Sequence, residues 1–190
     1  MRVFAYCTEL AKAAVGKATG VEPVTSPPLT ASTFDPEWLE GRDVIYFRLH
    51  GMDGQAGWFG EGTGPLGFGK TQMLALGLGQ LRDVNLGGAV VIVANCYGAN
   101  DDPMVQALYD AGASAVIAGP GKNLALGDRV VGTDLLARWV IAGLAVGLSV
   151  KVALMGAKAR LMASIWRRSD SDALEFKIMG RETIGGKNDE

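Results

Sequence analysis

The 190-residue chain has a single histidine, two cysteines and a formal net charge of only −2. Two cysteines make no disulfide framework, so a reducing compartment is expected. One histidine and two cysteines would leave a four-ligand zinc site dependent on carboxylates, and no metal site is expected. A near-neutral balance supplies no electrostatic reason to expect nucleic acid or an anionic membrane surface as partner. Long apolar runs are also missing. Met1–Glu9 offers too short an apolar stretch for a signal peptide. Trp139–Val150 is about a dozen residues long, which reads as a buried helix rather than a bilayer span. A cytoplasmic protein is expected.

What is present is apolar residues, nearly half of the chain, and 27 glycines. The length suits one domain, expected over residues 1–180, with 181–190 a frayed tail. Two runs organise it. Asp43-Val44-Ile45-Tyr46-Phe47-Arg48-Leu49 leads into His50-Gly51, and Gly88–Asn95 leads into Cys96-Tyr97-Gly98. Short apolar, β-branched runs bounded by glycine read as strands buried on both faces, hence parallel ones. Reactive groups gather at the carboxyl ends of such strands. If the two are neighbours, His50 and Cys96 emerge on one edge of the sheet.

Around these runs the chain alternates strand and helix. Arg2–Cys7 reads as a first strand, and a helix capped by Thr8 runs to Thr19, where Gly20 ends it. Residues 21–36, rich in Pro, Ser and Thr, read as an extended surface connection. Phe34, Trp38 and Leu39 are expected to tuck against the sheet. Gly51–Gly69 reads as a long functional loop, and Lys70–Leu81 as a helix. A helix from Asp102 to Ala111, a strand over Ala113–Ala118 and a helix from Thr133 or Asp134 to Gly147 follow. Ser149 caps another helix, and Leu174–Met179 is a last strand. The pattern predicts a three-layer α/β fold with a largely parallel central sheet flanked by helices.

His50 and Cys96 together suggest nucleophilic chemistry. A thiol becomes a strong nucleophile once an imidazole takes its proton or pairs with the thiolate. The N–H groups of Gly51 and Cys96 are candidate oxyanion-hole donors. Taken singly, each side chain has a plainer reading: Cys96 as a small buried hydrophobe and His50 as a hydrogen-bonded strand-end residue. Cys7 likewise reads as a core thiol, with a redox role or a disulfide as the alternative.

An apolar strand ending in His-Gly, followed some tens of residues later by one ending in Cys-x-Gly, resembles the caspase-like cysteine peptidases of clan CD. The likeness is closest to the CHAT branch. It rests on Leu39–Gly51, Leu81–Gly98, Ala107–Ala118, the helix pair through Ala157–Arg160 and Leu174–Gly180, covering roughly residues 34–180. The resemblance implies a caspase-like fold, a protease acting on peptide or protein substrates, and no cofactor. It casts His50 as the imidazole of a dyad, Cys96 as the nucleophile and Gly51 as an oxyanion-hole position. Asn95 and Tyr97 flank the cysteine, so the Gln-Ala-Cys of true caspases is absent. The acids Glu9, Asp53, Glu61, Asp101 and Asp102 outnumber the bases Lys70 and Lys122 around the proposed site, which favours a basic residue before the scissile bond.

Two other readings stand beside this one. Gly64–Thr71 satisfies G-x-x-x-x-G-K-[ST], the phosphate-cradling loop of nucleotide-binding proteins, whose context is a strand directly before and a helix directly after. A caspase-like domain without activity would serve as an interaction module.

Overall fold

The computed structural model describes residues 1–63, 70–100, 102–123, 129–163 and 168–180. A six-stranded sheet forms the middle layer. Its strands are β1 (Val3–Thr8), β2 (Val24–Ser26), β3 (Val44–Arg48), β6 (Val90–Val93), β7 (Ala115–Ala118) and β8 (Lys177–Met179), in the order β2-β1-β3-β6-β7-β8. All neighbours are parallel except β7 and β8, which run antiparallel. The fold is therefore mixed α/β with a mostly parallel sheet.

Alternation along the strands sorts side chains to two cores. From β3, Val44 and Tyr46 face one way and Ile45 and Phe47 the other, and all four are buried. On the first face lie α1 (Lys12–Thr19), α4 (Gly132–Ala145) and α5 (Val150–Ala163), which bring Val15, Leu136, Val140, Leu154 and Leu161 onto Tyr46 and Ile92. On the second lie α3 (Asp102–Asp110), the short α2 (Leu78–Leu81) and a two-stranded hairpin, β4 (Gly57–Thr63) with β5 (Lys70–Gly77). Burying a large aliphatic or aromatic side chain contributes about 1.5–3 kcal/mol, so the doubly covered central strands carry much of the stability.

Several expected local features are present. Gly20 ends α1 in the left-handed region, and Gly147 follows α4 the same way. The Ser149 hydroxyl accepts the Val152 N–H at the start of α5. Phe34 stacks on Tyr6 at 4.9 Å between ring centroids, and Leu39 is fully buried.

Four expectations are corrected. The stretch read as a loop over Gly51–Gly69 contains strand β4, and the predicted helix Lys70–Leu81 is strand β5 followed by only one helical turn. Met73-Leu74-Ala75-Leu76 is an unbroken apolar run whose period cannot separate helix from strand. The outcome depends on Trp58, which is fully buried against Phe47 at 4.8 Å and holds the hairpin on the sheet. The connection over 21–36 also contains β2, which adds a strand beside β1. The final strand is shorter than predicted and follows a 3-10 segment, Arg168–Glu175.

The phosphate-loop reading loses its context here. Its residues 64–69 lie outside the described residues, and β5 occupies the place where that motif requires a helix. The tail at 181–190 and Asp101 also lie outside the described residues.

Candidate active site

Strand register brings the two sequence-selected residues together. Val44 pairs with Val90 and Phe47 with Val93 in parallel β3 and β6. The same 46-residue offset continues past the strand ends. Arg48 Nη1 donates to the Ala94 carbonyl at 2.7 Å, and Leu49 N–H donates to Asn95 Oδ1 at 2.6 Å. His50 and Cys96 are the next pair at that offset, so they leave the carboxyl edge of the sheet side by side. The contact is closest at Gly51, where an added Cβ would overlap the Cys96 carbonyl oxygen and lie 3.3 Å from Asn95 Cβ. Only glycine permits this approach of the two chains.

The imidazole is held from the hairpin. His50 N–H donates to the Phe59 carbonyl at 2.8 Å, Phe59 N–H donates back to the His50 carbonyl at 2.9 Å, and His50 Nε2 lies 3.2 Å from Glu61 Oε1. The two side chains are 31% and 19% exposed, so the pair is partly shielded yet reachable. With Nε2 engaged by Glu61, Nδ1 is the ring nitrogen left to exchange a proton with a thiol. From the sequence Glu61 is one of several acids around the site; β4 places it on the imidazole.

The thiol is held from another segment. Asn123 N–H donates to Cys96 Sγ at 3.2 Å, and Sγ lies 3.6 Å from the Asn123 carbonyl. Asn123 Nδ2 donates to the Asn95 carbonyl at 2.7 Å. Two backbone bonds zip this segment to the turn after Cys96: Tyr97 N–H to Gly121 O at 2.9 Å and Ala99 N–H to Gly119 O at 3.0 Å. Within that turn Tyr97 has φ +56°, the one non-glycine residue in the left-handed region among those described. Such strain persists where surrounding structure enforces it, and it clusters at functional sites. Gly98 is required for space, since a Cβ there would meet Val93 Cγ1 at 2.9 Å.

Beneath the site is a buried ionic network that the sequence reading missed. Arg48, inside an otherwise apolar strand, sets Nε 3.3 Å from Asp134 Oδ1, and its Nη1 also donates to the Asn123 carbonyl at 3.3 Å. Tyr46 donates its hydroxyl to Asp134 Oδ1 at 2.7 Å, and Val131 N–H donates to Asp134 Oδ2 at 3.2 Å. Burial, with the Asp134 carboxylate adding to it, pushes the Tyr46 hydroxyl well above its ordinary pKa. The network ties α4 to the Asn123 segment and so to Cys96. Its sequence signal was a lone charge in a strand buried on both faces, which must find a partner.

The two cysteines are free and unlike each other. Cys96 is half-buried at the site. Cys7 is fully buried, and its thiol is pushed up to about 12, first by that burial and then by the Glu9 and Asp134 carboxylates. At neutral pH it is an inert core thiol. Asn95 is also fully buried, with Oδ1 engaged by Leu49 and Nδ2 without a hydrogen-bond partner among the described residues. No group of His, Cys, Asp and Glu suited to a metal ion occurs among the described residues.

Compared with known proteins, the chain matches no protein-family model and no curated protein.

Proposed function

We propose that this chain is a caspase-like cysteine endopeptidase working through His50 and Cys96. The observation that carries the reading is their shared offset: two neighbouring parallel strands end at a partly exposed imidazole and a partly exposed thiol. The left-handed Tyr97 directly after the thiol adds support, because strained backbone of this kind clusters at functional sites.

In the mechanism, the Cys96 proton passes to His50 and the sulfur attacks the peptide carbonyl carbon. The carbonyl oxygen takes the electron pair and lies against the N–H groups of Gly51 and Cys96, each donor contributing a few kcal/mol in the transition state, about 2.7–4 in measured cases. The tetrahedral species collapses, the C–N bond breaks, and the protonated His50 gives its proton to the leaving amine. Water then attacks the thioester with His50 taking its proton, which releases the acid and restores the thiol. Glu61, engaged with His50, is no longer available to read a substrate side chain, which weakens the expected preference for a basic residue before the scissile bond.

Cleavage of a positional peptide library by the wild type and by Cys96→Ala tests this. The expected result is cleavage by the wild type alone, with a preference the library reports directly. Absence of cleavage, together with alkylation of Cys96 only at the ordinary thiol pKa of about 8.5 and unaltered in His50→Ala, would favour the interaction-module reading instead.

A further inference from the structure

The outer surface of the α4–α5 hairpin differs in composition from the rest of the chain. From Leu135 to Ala163 the sequence contains no Asp or Glu, yet carries Arg138, Lys151, Lys158 and Arg160. The whole-chain charge of −2, on which the expectation of no membrane partner rested, hides this strongly basic segment. The segment also lacks Asn, Gln, Thr, Tyr and His, and between 135 and 163 its only hydroxyl is that of Ser149, which serves the α5 cap.

The same surface is apolar. Val146 is 76% exposed, Leu148 43%, Val152 50%, Met155 61% and Met162 62%. Meanwhile Ala153, Leu154, Ala157 and Leu161 bury the opposite side of α5 in the core. A helix apolar on all sides is normally covered on all sides. Between the two helices runs a groove lined by Trp139, Gly143, Val152 and Gly156, with Arg160 at its side.

We infer that this face docks on an anionic lipid surface. Its charge selects the occupant. A second copy meeting it face to face would set basic residues against basic residues, with no acid between 135 and 163 to relieve them. A protein partner is usually read by directional donors and acceptors as well as by charge, and apart from its Lys and Arg heads this face holds almost none. Flexible methionines and valines among Lys and Arg suit a layer that is negative at its surface and apolar beneath. The helices have 14 residues each, about 21 Å, and no described helix is long and apolar enough to cross a membrane. The attachment is therefore peripheral. It uses the outside of the helical layer and leaves free the sheet edge carrying His50 and Cys96.

Co-sedimentation with vesicles tests this independently of any peptidase activity. The probes are phosphatidylcholine vesicles with and without phosphatidylserine. The expected result is binding to the mixed vesicles only, weakened by salt. Each basic residue near such a surface is worth about fivefold in partitioning, so Lys151→Ala with Arg160→Ala should lower it about 25-fold. Val152→Glu with Met155→Glu should abolish it while circular dichroism stays unchanged. Equal binding to both vesicle types, no binding to either, or indifference to these substitutions would overturn the inference. So would sedimentation velocity showing self-association of the wild type that the glutamate variant disrupts, since the face would then be an interface between copies.

Discussion

His50 Nε2 lies 3.2 Å from Glu61 Oε1, across from a strand that the sequence did not reveal. The hairpin thus acts on the imidazole of the neighbouring strand end, and the hairpin is itself anchored by Trp58 in the core.

Replacing Glu61 with Ala should free the imidazole to rotate and lower turnover by up to about a hundredfold, the scale of a mispositioned catalytic group. Glu61→Gln keeps an acceptor within reach and should recover part of the loss. Steady-state kinetics should place the effect in kcat rather than in KM. Thermal stability should barely change, because the pair is partly exposed.

Gly51→Ala should damage both stability and reactivity. The new methyl overlaps the Cys96 carbonyl, so two strand ends must separate, at a cost of about 1–3 kcal/mol. Urea unfolding measures the first effect and the alkylation rate of Cys96 the second. Gly79→Ala, in α2 with open space around it, is the control and should be neutral or slightly stabilising.

Asp134→Asn should leave the Arg48 guanidinium buried beside a neutral amide. Removing one partner of a buried pair typically costs about 3–5 kcal/mol, and both side chains here are almost fully buried. The double variant Arg48→Met with Asp134→Leu should unfold at higher urea than Asp134→Asn. It should still alkylate slowly at Cys96, because the Arg48 bonds to Ala94 and Asn123 are gone. Stability and reactivity would then separate.

Alkali should destabilise the protein through β1. The Cys7 thiol is raised from 9.0 to about 12 and the Tyr6 hydroxyl from 10.0 to about 12, each chiefly by burial. Both groups are neutral when protonated, and the unfolded chain releases their protons first. Their contribution is complete below pH 9 and is lost as the pH climbs through that window toward 12. Each group lowers the folding constant up to tenfold per pH unit across its own range. Cys7→Ala should reduce the slope of stability against pH between 9 and 10, where Cys7 acts alone of the two. Urea unfolding at stepped pH reads this directly.

Much of the fold follows from local pattern. Val44–Arg48 and Val90–Val93 are strands because β-branched runs bounded by glycine have few other stable states, and Gly20 and Gly147 stop helices because they tolerate positive φ. Those runs ended in the sole histidine and a cysteine, which was enough to nominate the site from composition and position alone.

Other features were settled only by long-range packing. Residues 70–77 are a strand because Trp58 and Leu76 are buried together in the core, a contact that no local period encodes. Glu61 became the partner of His50 through that same pairing. Arg48 found Asp134 far along the chain because a charge inside a covered strand must be compensated wherever the fold brings a carboxylate. The sequence by itself determined which segments were strands or helices wherever burial and glycine left one choice. The tertiary structure decided which side chains meet at the sheet edge, since register and layer packing act between segments that local chemistry cannot connect.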